Sequence, residues 1–441
     1  MEILFLIFIV VLLVLSISWW KVHPFLALLV FGLLYGIGSG LNPIEAVDLL
    51  LTGFANTLKW IAVIMILGAM IGEMANETGG AERIAHSTLK LSGKKRLPLA
   101  MGMTGYVISI PVFVDVAYIM MQSVTEALAV RGRRGILVVG LSLVAGLTAT
   151  HALMPPTPGP LAVAGILEAQ LGKVILINFF VALGAMAGGL AWATYYCRRV
   201  KVDYDEELKA SHSEEEQGPI SGKAGSTLLA LLPIGVPLVL IAIRSFLHED
   251  LSGWGIDALR FIGTPMIALM IGVVLGFFQY GRKWNMARVG KVAERSIEKA
   301  ALVIMITGAG GAFGHVIRAS GVTETISGYV SEGGSLGLVF PFLLAAIFTT
   351  TTGSITVSMI TTASIVMPML SVLGISPELA SALIGSGSFC VFHINSSFFW
   401  LLNRLHNIAP AILLRTYTVQ SLCMGIGGLS VVLMLYLFGL R

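Results

Sequence analysis

Two histidines occupy matching positions in a pattern that occurs twice in this chain, 242 residues apart. Each copy has a glycine, a glutamate, an isoleucine and, 72 residues after the glycine, a histidine: Gly79, Glu82, Ile84 and His151, then Gly321, Glu324, Ile326 and His393. Histidine titrates near neutral pH, so either side chain can relay a proton or donate a hydrogen bond to a bound molecule. Alternatively, each ring holds a broken stretch of backbone in place by bonding to a carbonyl. The symmetry favours a place near the ligand for both.

The first histidine opens a string rich in proline. HALMPPTPGP, from His151 to Pro160, cannot continue a helix, because four prolines and a glycine fall within ten residues. Non-helical backbone at membrane depth is tolerated where it is buried in protein or lines a cavity. The helix that follows would direct its N-terminal N–H groups inward, which suits an anion. Thr157 and Gly159 are therefore candidate substrate-binding residues, and a proline-kinked helix without a ligand is the alternative.

The segment that matches this string in the second copy, HINSS, has no proline but a similar density of polar groups. Two broken helices at corresponding positions are the best indication that a sequence gives of a transport site. Asn395 and Ser396 therefore join His393 as candidate substrate-binding residues.

One acid lies in the apolar stretch 97–129, which is interrupted near Ser109. An acid inside a membrane segment is costly and is by default a functional hypothesis. We therefore predict that Asp115 is the proton-coupling residue; the alternative is a carboxylate that accepts backbone N–H groups at a helix start. The matching position, Val357, carries no acid, so the coupling site would be asymmetric. Ser109, at the interruption, is a candidate substrate-binding residue.

A second apolar stretch, 335–372, is interrupted by TTTTGS. Hydroxyl groups and free N–H groups at such a tip can bind an anion or a polyol. Serine and threonine in membrane helices more often bond back to their own carbonyls, so only Gly353, Ser354 and Thr356 are predicted to bind substrate.

Several other kinds of chemistry find no support in the sequence. No metal site is expected, since no second His, Cys or carboxylate lies at metal-ligand spacing from either histidine, and no cofactor is expected. GAGGAFG, from Gly308 to Gly314, lies inside a predicted membrane helix with no preceding strand, so it indicates close helix packing and not nucleotide binding. An intramembrane enzyme, the remote alternative, would have to combine Ser109 or Ser396 with one of the two histidines.

The composition is that of a polytopic membrane protein. Of 441 residues 56% are hydrophobic and 12% charged, with a mean hydropathy of +0.89, whereas soluble domains carry about 25% charged residues. The net charge of +4 is too small and dispersed to indicate a nucleic-acid partner. A duplicated unit in so apolar a chain indicates a secondary transporter, whose site lies where the repeats meet.

A membrane-spanning helix needs about 20 mostly apolar residues. About ten such spans are predicted, near 3–20, 22–40, 50–75, 135–171, 173–196, 226–246, 257–280, 300–318, 378–410 and 413–440. The stretches 97–129 and 335–372 have arms too short to cross and are predicted to form two re-entrant hairpins. The N-terminus has no basic region or cleavage site, so it is predicted to be a retained helix and not a signal peptide.

Basic residues set the predicted orientation, because cytoplasmic loops are enriched in Lys and Arg. This arrangement places 22 of the 28 Lys and Arg residues on one side, so both termini are predicted to be periplasmic. An odd number of crossings separates the two copies, which makes the repeat inverted. The predicted divisions are N-terminal helices at 1–49, a first repeat at 50–197, a cytoplasmic linker at 198–225, and a second repeat with flanking helices at 226–441.

At HALMPPTPGP, GSGS from Gly385, FHIN from Phe392 and GSITV from Gly353, the chain resembles the gluconate permease (GntP) family of bacterial inner-membrane transporters. The resemblance covers nearly the whole chain, including ETGGAERIA from Glu77. It implies the fold of the ion transporter superfamily, a homodimer with an elevator-like movement, and uptake of gluconate or related aldonates with protons. D-Serine is a known exception among the family's substrates.

Three departures from the family pattern concern the substrate more than the fold. Thr349 stands where the family often has an arginine, Ser396 replaces an acid, and Asp115 replaces a glutamate. The sequence therefore predicts a proton-coupled symporter for gluconate or another small anionic or polyhydroxylated substrate, working in the lipid bilayer. Sodium coupling and transport of a D-amino acid are the alternatives.

Overall fold

The structure is a computed structural model, and it describes residues 2–80, 83, 87, 97–110, 112–131, 135–202, 227–245, 247, 253–283, 285–321, 336–394 and 396–439. Every regular element in those ranges is a helix, which confirms the all-α fold class. In the first half of the chain the helices are α1 (Glu2–Ser18), α2 (Pro24–Gly38), α3 (Pro43–Glu77), α4 (Leu97–Ile108), α5 (Val114–Arg131), α6 (Ile136–Leu153), α7 (Pro158–Ile166) and α8 (Leu171–Tyr195).

The second half of the chain repeats this order of long and short helices. Its helices are α9 (Thr227–Ser245), α10 (Trp254–Ile262), α11 (Pro265–Phe277), α12 (Met286–Ala319), α13 (Leu336–Thr352), α14 (Ile355–Val366), α15 (Pro377–Gly387), α16 (Ser397–His406) and α17 (Val419–Leu437). A π-helical turn at Leu414–Thr418 leads into α17.

Prolines determine where many of these helices begin. Pro24, Pro43, Pro158, Pro265 and Pro377 each stand at the first position of a helix. Proline suits that position because its ring fixes a helical φ angle and the N–H it lacks has no partner there in any case. Proline at these five positions therefore marks where a helix begins.

Each of the two interrupted apolar stretches forms a pair of short helices. The first pair is α4 and α5, joined by the first tip (109–113), and both arms pack against α6. The second is α13 and α14, joined by the second tip (353–354), where Gly353 adopts a φ of +70° that favours glycine. Its arms pack against each other, and the Ser358 hydroxyl in α14 donates to the Ala345 carbonyl in α13 at 2.6 Å.

Two predicted broken helices are also present. The first break (154–157) separates α6 from α7, and the second break (388–396) separates α15 from α16. Breaks and tips thus occur in the same order in both halves of the chain, as the duplication predicts.

The helices pack in two groups. The first group consists of α2, α3, α11 and α12, and α9 packs against α11. The second group consists of α4, α6, α8, α13, α15 and α17. α7 and α14 lie between them and pack against both α12 and each other. The segment GAGGAFG lies within α12, where a Cβ atom on Gly311 would overlap the Thr57 side chain of α3. The interpretation of these glycines as helix-packing residues is confirmed.

Helices at corresponding places in the two halves run antiparallel. Near the start of α3, Gly53 lies against Ala312 late in α12, whereas Glu77 at the end of α3 pairs with Arg288 at the start of α12. α8 and α17 are related in the same way, since Gly184 approaches Gly427 and Gly188 approaches Cys423. An inverted repeat requires this arrangement.

The predicted number of spans differs from what helix length alone supports. Among the described residues, six helices are long and apolar enough to cross a membrane, or up to eight if each of two bent pairs is one span. The ten spans, the inverted repeat, the domain limits and the periplasmic termini stay predictions. Most of the predicted linker at 198–225 lies outside the described residues.

One close helix approach offers a test of this packing. A Cβ atom at Gly146 of α6 would overlap the Gly102 carbonyl oxygen of α4, whereas no atom of the described residues lies within 4 Å of one built at Gly290. We expect Gly146→Ala to cost about 3 kcal/mol through overpacking and to lower the thermal unfolding midpoint in detergent. Gly290→Ala, the matched control, should be neutral or raise it, since alanine favours a helix. Equal midpoints for the two variants would contradict the α4–α6 packing.

Candidate functional site

The first break is held by side chains that bond to its carbonyl groups. Asn178 of α8 donates from Nδ2 to the Leu153 carbonyl at 2.8 Å, and the Thr157 hydroxyl donates to the Met154 carbonyl. Thr157 is the N-cap residue of α7, yet its side chain makes no capping bond to that helix. Pro158 and Pro160 have no N–H, and the Leu161 N–H bonds to the Thr157 carbonyl at 3.3 Å. The Gly159 N–H is therefore the group that the start of α7 leaves without the usual hydroxyl cap.

His151 lies in the last turn of α6, beside the first break. Its ring packs against Phe113 of the first tip with 5.6 Å between ring centroids. Its Nδ1 atom is buried and has no hydrogen-bond partner among the described residues. A buried ring nitrogen without a partner is costly unless another molecule supplies one.

The second break is tied to the second hairpin instead. His393 donates from Nε2 to the Thr350 carbonyl at 2.8 Å, and the Thr349 hydroxyl donates to the Ser388 carbonyl at 2.7 Å. Both threonines lie in the last turns of α13. Thr349 is fully buried, so the position at which the related family often has an arginine serves here as a structural link.

Ser396, the N-cap residue of α16, repeats the behaviour of Thr157. It makes no capping bond to its helix, and its hydroxyl bonds instead with the side chain of Tyr417 in the π-helical turn. Tyr417 is buried and also interacts electrostatically with Asp115, in the first turn of α5. The Asp115 side chain itself is exposed.

Each hairpin touches both broken helices. The first hairpin contacts His151 through Phe113 and reaches α16 through Tyr118, whose ring lies 5.5 Å from that of Phe398. The second hairpin contacts α7, where a Cβ atom on Gly159 would lie 3.0 Å from Met359 Sδ, and it holds His393 by the bond described above. The two tips and the two breaks therefore meet.

Four helices begin at this meeting point. α5 and α14 start at the two tips, and α7 and α16 start at the two breaks. A helix N-terminus carries a partial positive charge and free N–H groups, so it favours an anion.

The whole chain matches a known family. A model of the GntP family permeases matches residues 1–438. The chain belongs to this family. A gluconate permease of Pseudomonas aeruginosa is 31% identical over 96% of this chain and 95% of the relative, and an L-idonate transporter of Escherichia coli K12 is 30% identical over 94% of each.

A solved transporter confirms the fold. The structure of MtrF from Neisseria gonorrhoeae, which belongs to a class of antimetabolite efflux pumps, superposes with a TM-score of 0.71 over 97% of each chain, at 15% sequence identity. Since the relatives of this GntP permease are permeases and transporters, the chain is a multi-pass inner-membrane transporter and not an enzyme.

Some predicted site residues of this GntP permease make local bonds. The Ser109 hydroxyl donates to the Val112 carbonyl within the first tip, at 2.9 Å. Ser354 accepts from the Val357 N–H at 3.4 Å as the cap of α14. Gly353 and Thr356 are partly exposed beside it, and Asn395 lies outside the described residues. The last three threonines before Gly353, at 350–352, bond back to carbonyls of α13, as expected of most hydroxyls there.

Sequence reasoning missed a charge cluster beside the first tip. Glu73 of α3, only 8% exposed, pairs with Lys299 and, at 3.4 Å, with Arg295 of α12. Glu73 and Lys299 share a small cavity with Val112 and Phe113 of the first tip. The rule that singled out Asp115, an acid inside an apolar stretch, applied equally to Glu73.

His151 and His393 differ in their hydrogen bonds, so we expect the same substitution to have different effects at the two positions. Phenylalanine keeps a ring and removes both nitrogens. We expect His151→Phe to weaken the apparent affinity for substrate about twofold to tenfold, the worth of one hydrogen bond between neutral groups, with little change in unfolding midpoint. His393→Phe should lower the midpoint, since it leaves the Thr350 carbonyl without its partner. Uptake kinetics and thermal unfolding of both variants make the comparison, and identical profiles would contradict the assignment.

Proposed function

We propose that this permease takes up gluconate, or a related small hydroxylated carboxylate, across the bacterial inner membrane together with protons. The observation that carries the proposal is that each hairpin touches both broken helices, so four helix N-termini begin at one place. The names of the relatives support a sugar-acid substrate.

The substrate carboxylate is best matched by the uncapped starts of α7 and α16. Thr157 and Ser396 make no capping bond to the helices they begin, which leaves the Gly159 N–H of α7 and the first N–H groups of α16 free for an acceptor. Each helix N-terminus contributes about 0.3–1 kcal/mol to holding an anion, and up to about 2 kcal/mol where it is partly buried. Lys299 lies beside the first tip, but its charge is already paired with Glu73.

The substrate hydroxyl groups need donors and acceptors of moderate strength. The Nδ1 atom of His151 and the partly exposed tip residues Ser354 and Thr356 supply these. This combination suits a polyhydroxylated acid better than an amino acid, whose ammonium group would need an acceptor such as Asp115. Transport of a D-amino acid is the alternative substrate class.

Asp115 is the proposed proton carrier. Asp115 is an exposed residue at the meeting point of tips and breaks and interacts electrostatically with Tyr417. A carboxylate that is reached by water in one state of a transport cycle and covered by substrate in another couples protonation to substrate binding. Sodium coupling, through hydroxyl groups and unwound carbonyls, is the alternative. We also propose that the chain works as a homodimer.

The coupling role is tested by Asp115→Asn in proteoliposomes loaded with a pH gradient. We expect the variant to lose gluconate accumulation while it retains exchange of external for internal gluconate, because exchange needs no net movement of protons. Wild-type accumulation should collapse with an uncoupler and survive replacement of Na⁺ by choline at fixed pH.

The matched control is Asp257→Asn, the same substitution at an exposed position of α10, which should leave accumulation unchanged. If Asp115→Asn accumulates gluconate to the wild-type level, the assignment of Asp115 as the proton carrier is wrong. Loss of accumulation in choline would point to sodium instead.

A further inference from the structure

A line of polar side chains runs along α5 away from the first tip. Asp115, Tyr118, Gln122 and Glu126 follow one another at intervals of three or four residues. Residues so spaced lie on one face of a helix, one above the next. This face leads from the site toward Arg131, on the side that the basic residues predict to be cytoplasmic.

His406, at the end of α16, completes this line from across the packing interface. Its Nε2 atom lies 2.8 Å from the Tyr118 hydroxyl, and its Nδ1 atom lies 3.7 Å from Glu126 Oε1. Gln122 donates from Nε2 to the same Glu126 oxygen at 3.0 Å. An imidazole thus stands between a phenol on one nitrogen and a carboxylate on the other.

The network is enclosed at the site end and open at the far end. Tyr118 and His406 are each 1% exposed, whereas the Glu126 side chain is 14% exposed. The T-shaped ring contacts of Tyr118 with Phe398 and with His406 fix the direction of the phenol group. Phe398 also contacts Tyr417, the partner of Asp115.

Packing alone does not explain this choice of residues. A buried tyrosine and histidine beside a partly buried glutamate are costly unless their hydrogen bonds are satisfied, and apolar residues of similar size would fill the space at less cost. Tyr118 and Glu126 of α5 are the titratable groups whose contacts with His406 the described structure records. The Tyr118 hydroxyl bonds to one ring nitrogen and the Glu126 carboxylate lies 3.7 Å from the other, and ring nitrogens are the atoms that exchange protons.

We infer that Tyr118, His406 and Glu126 form a proton route from Asp115 to the predicted cytoplasmic side. The inference rests on the proposed proton coupling and extends it. A proton that leaves Asp115 reaches the Tyr118 oxygen as the phenol proton passes to His406 Nε2. The imidazolium then releases its Nδ1 proton to Glu126, after a rotation of that side chain closes the gap. No bond other than those to hydrogen changes, and one proton has moved.

The test is Tyr118→Phe, which removes one oxygen and keeps the ring contacts. Purified protein in liposomes that enclose a pH-sensitive dye reports gluconate-linked proton entry, and labelled gluconate reports exchange in the same preparation. We expect proton entry to slow about a hundredfold, the lower end of what a positioned proton-transfer group contributes, with exchange unchanged. Glu126→Gln, which keeps the shape of the side chain, should likewise slow proton entry and leave exchange unchanged.

Tyr35→Phe is the matched control, because Tyr35 is equally buried and its hydroxyl bonds to Ser320 at 2.9 Å in the other helix group. It should leave both rates unchanged. If Tyr118→Phe admits protons at the wild-type rate, the route is wrong. It is also wrong if exchange and proton entry fall equally in Tyr118→Phe and Glu126→Gln. Either result leaves the proposed function standing. Wild-type protein that moves gluconate without protons overturns the coupling itself.

Discussion

An interrupted helix inside a bilayer must find partners for the backbone groups that its interruption exposes, since no water is present to supply them. In this protein the exposed carbonyl groups find side-chain partners more often than the exposed N–H groups do. Carbonyl groups at the two breaks receive hydrogen bonds from Asn178 and Thr349, and His393 in the second break donates to a carbonyl of the second hairpin. The Gly159 N–H of α7 and the first N–H groups of α16 receive no side-chain cap, although a threonine and a serine occupy the N-cap positions. What the protein leaves unsatisfied is what an anion can satisfy.

The packing of the long helices fixes the positions of the two breaks and their unpaired N–H groups. The long antiparallel helices α3 and α12 are joined by ion pairs from Glu73 and Glu77. Against them lie α7 and α14, one half-helix from each half of the chain, where Gly68 approaches Pro156 just before α7 and Gly314 approaches Ser364 of α14. These close approaches hold both half-helices against the long pair without bulky side chains between them.

Much of the local structure could be predicted from the sequence, because its causes are local. The prolines of HALMPPTPGP, the polar run after His393 and the interruptions near Ser109 and Gly353 all mark places where a helix cannot continue. The roles of individual residues depended on contacts between distant parts of the chain. His393 meets a carbonyl 43 residues away, Glu73 meets Lys299 across 226 residues, and Tyr118 meets His406 across 288. Repeat symmetry suggested one role for both histidines, whereas the structure pairs one ring and leaves a nitrogen of the other free.

The central claim is that backbone N–H groups at converging helix starts recognise a carboxylate. Competition between gluconate and sorbitol tests it most directly, because the two differ only in a carboxylate against a hydroxymethyl group. Uptake of labelled gluconate by purified protein in liposomes should be suppressed by excess unlabelled gluconate and unaffected by the same concentration of sorbitol. Equal suppression by sorbitol would show that the hydroxyl groups alone are recognised and would contradict an anion site.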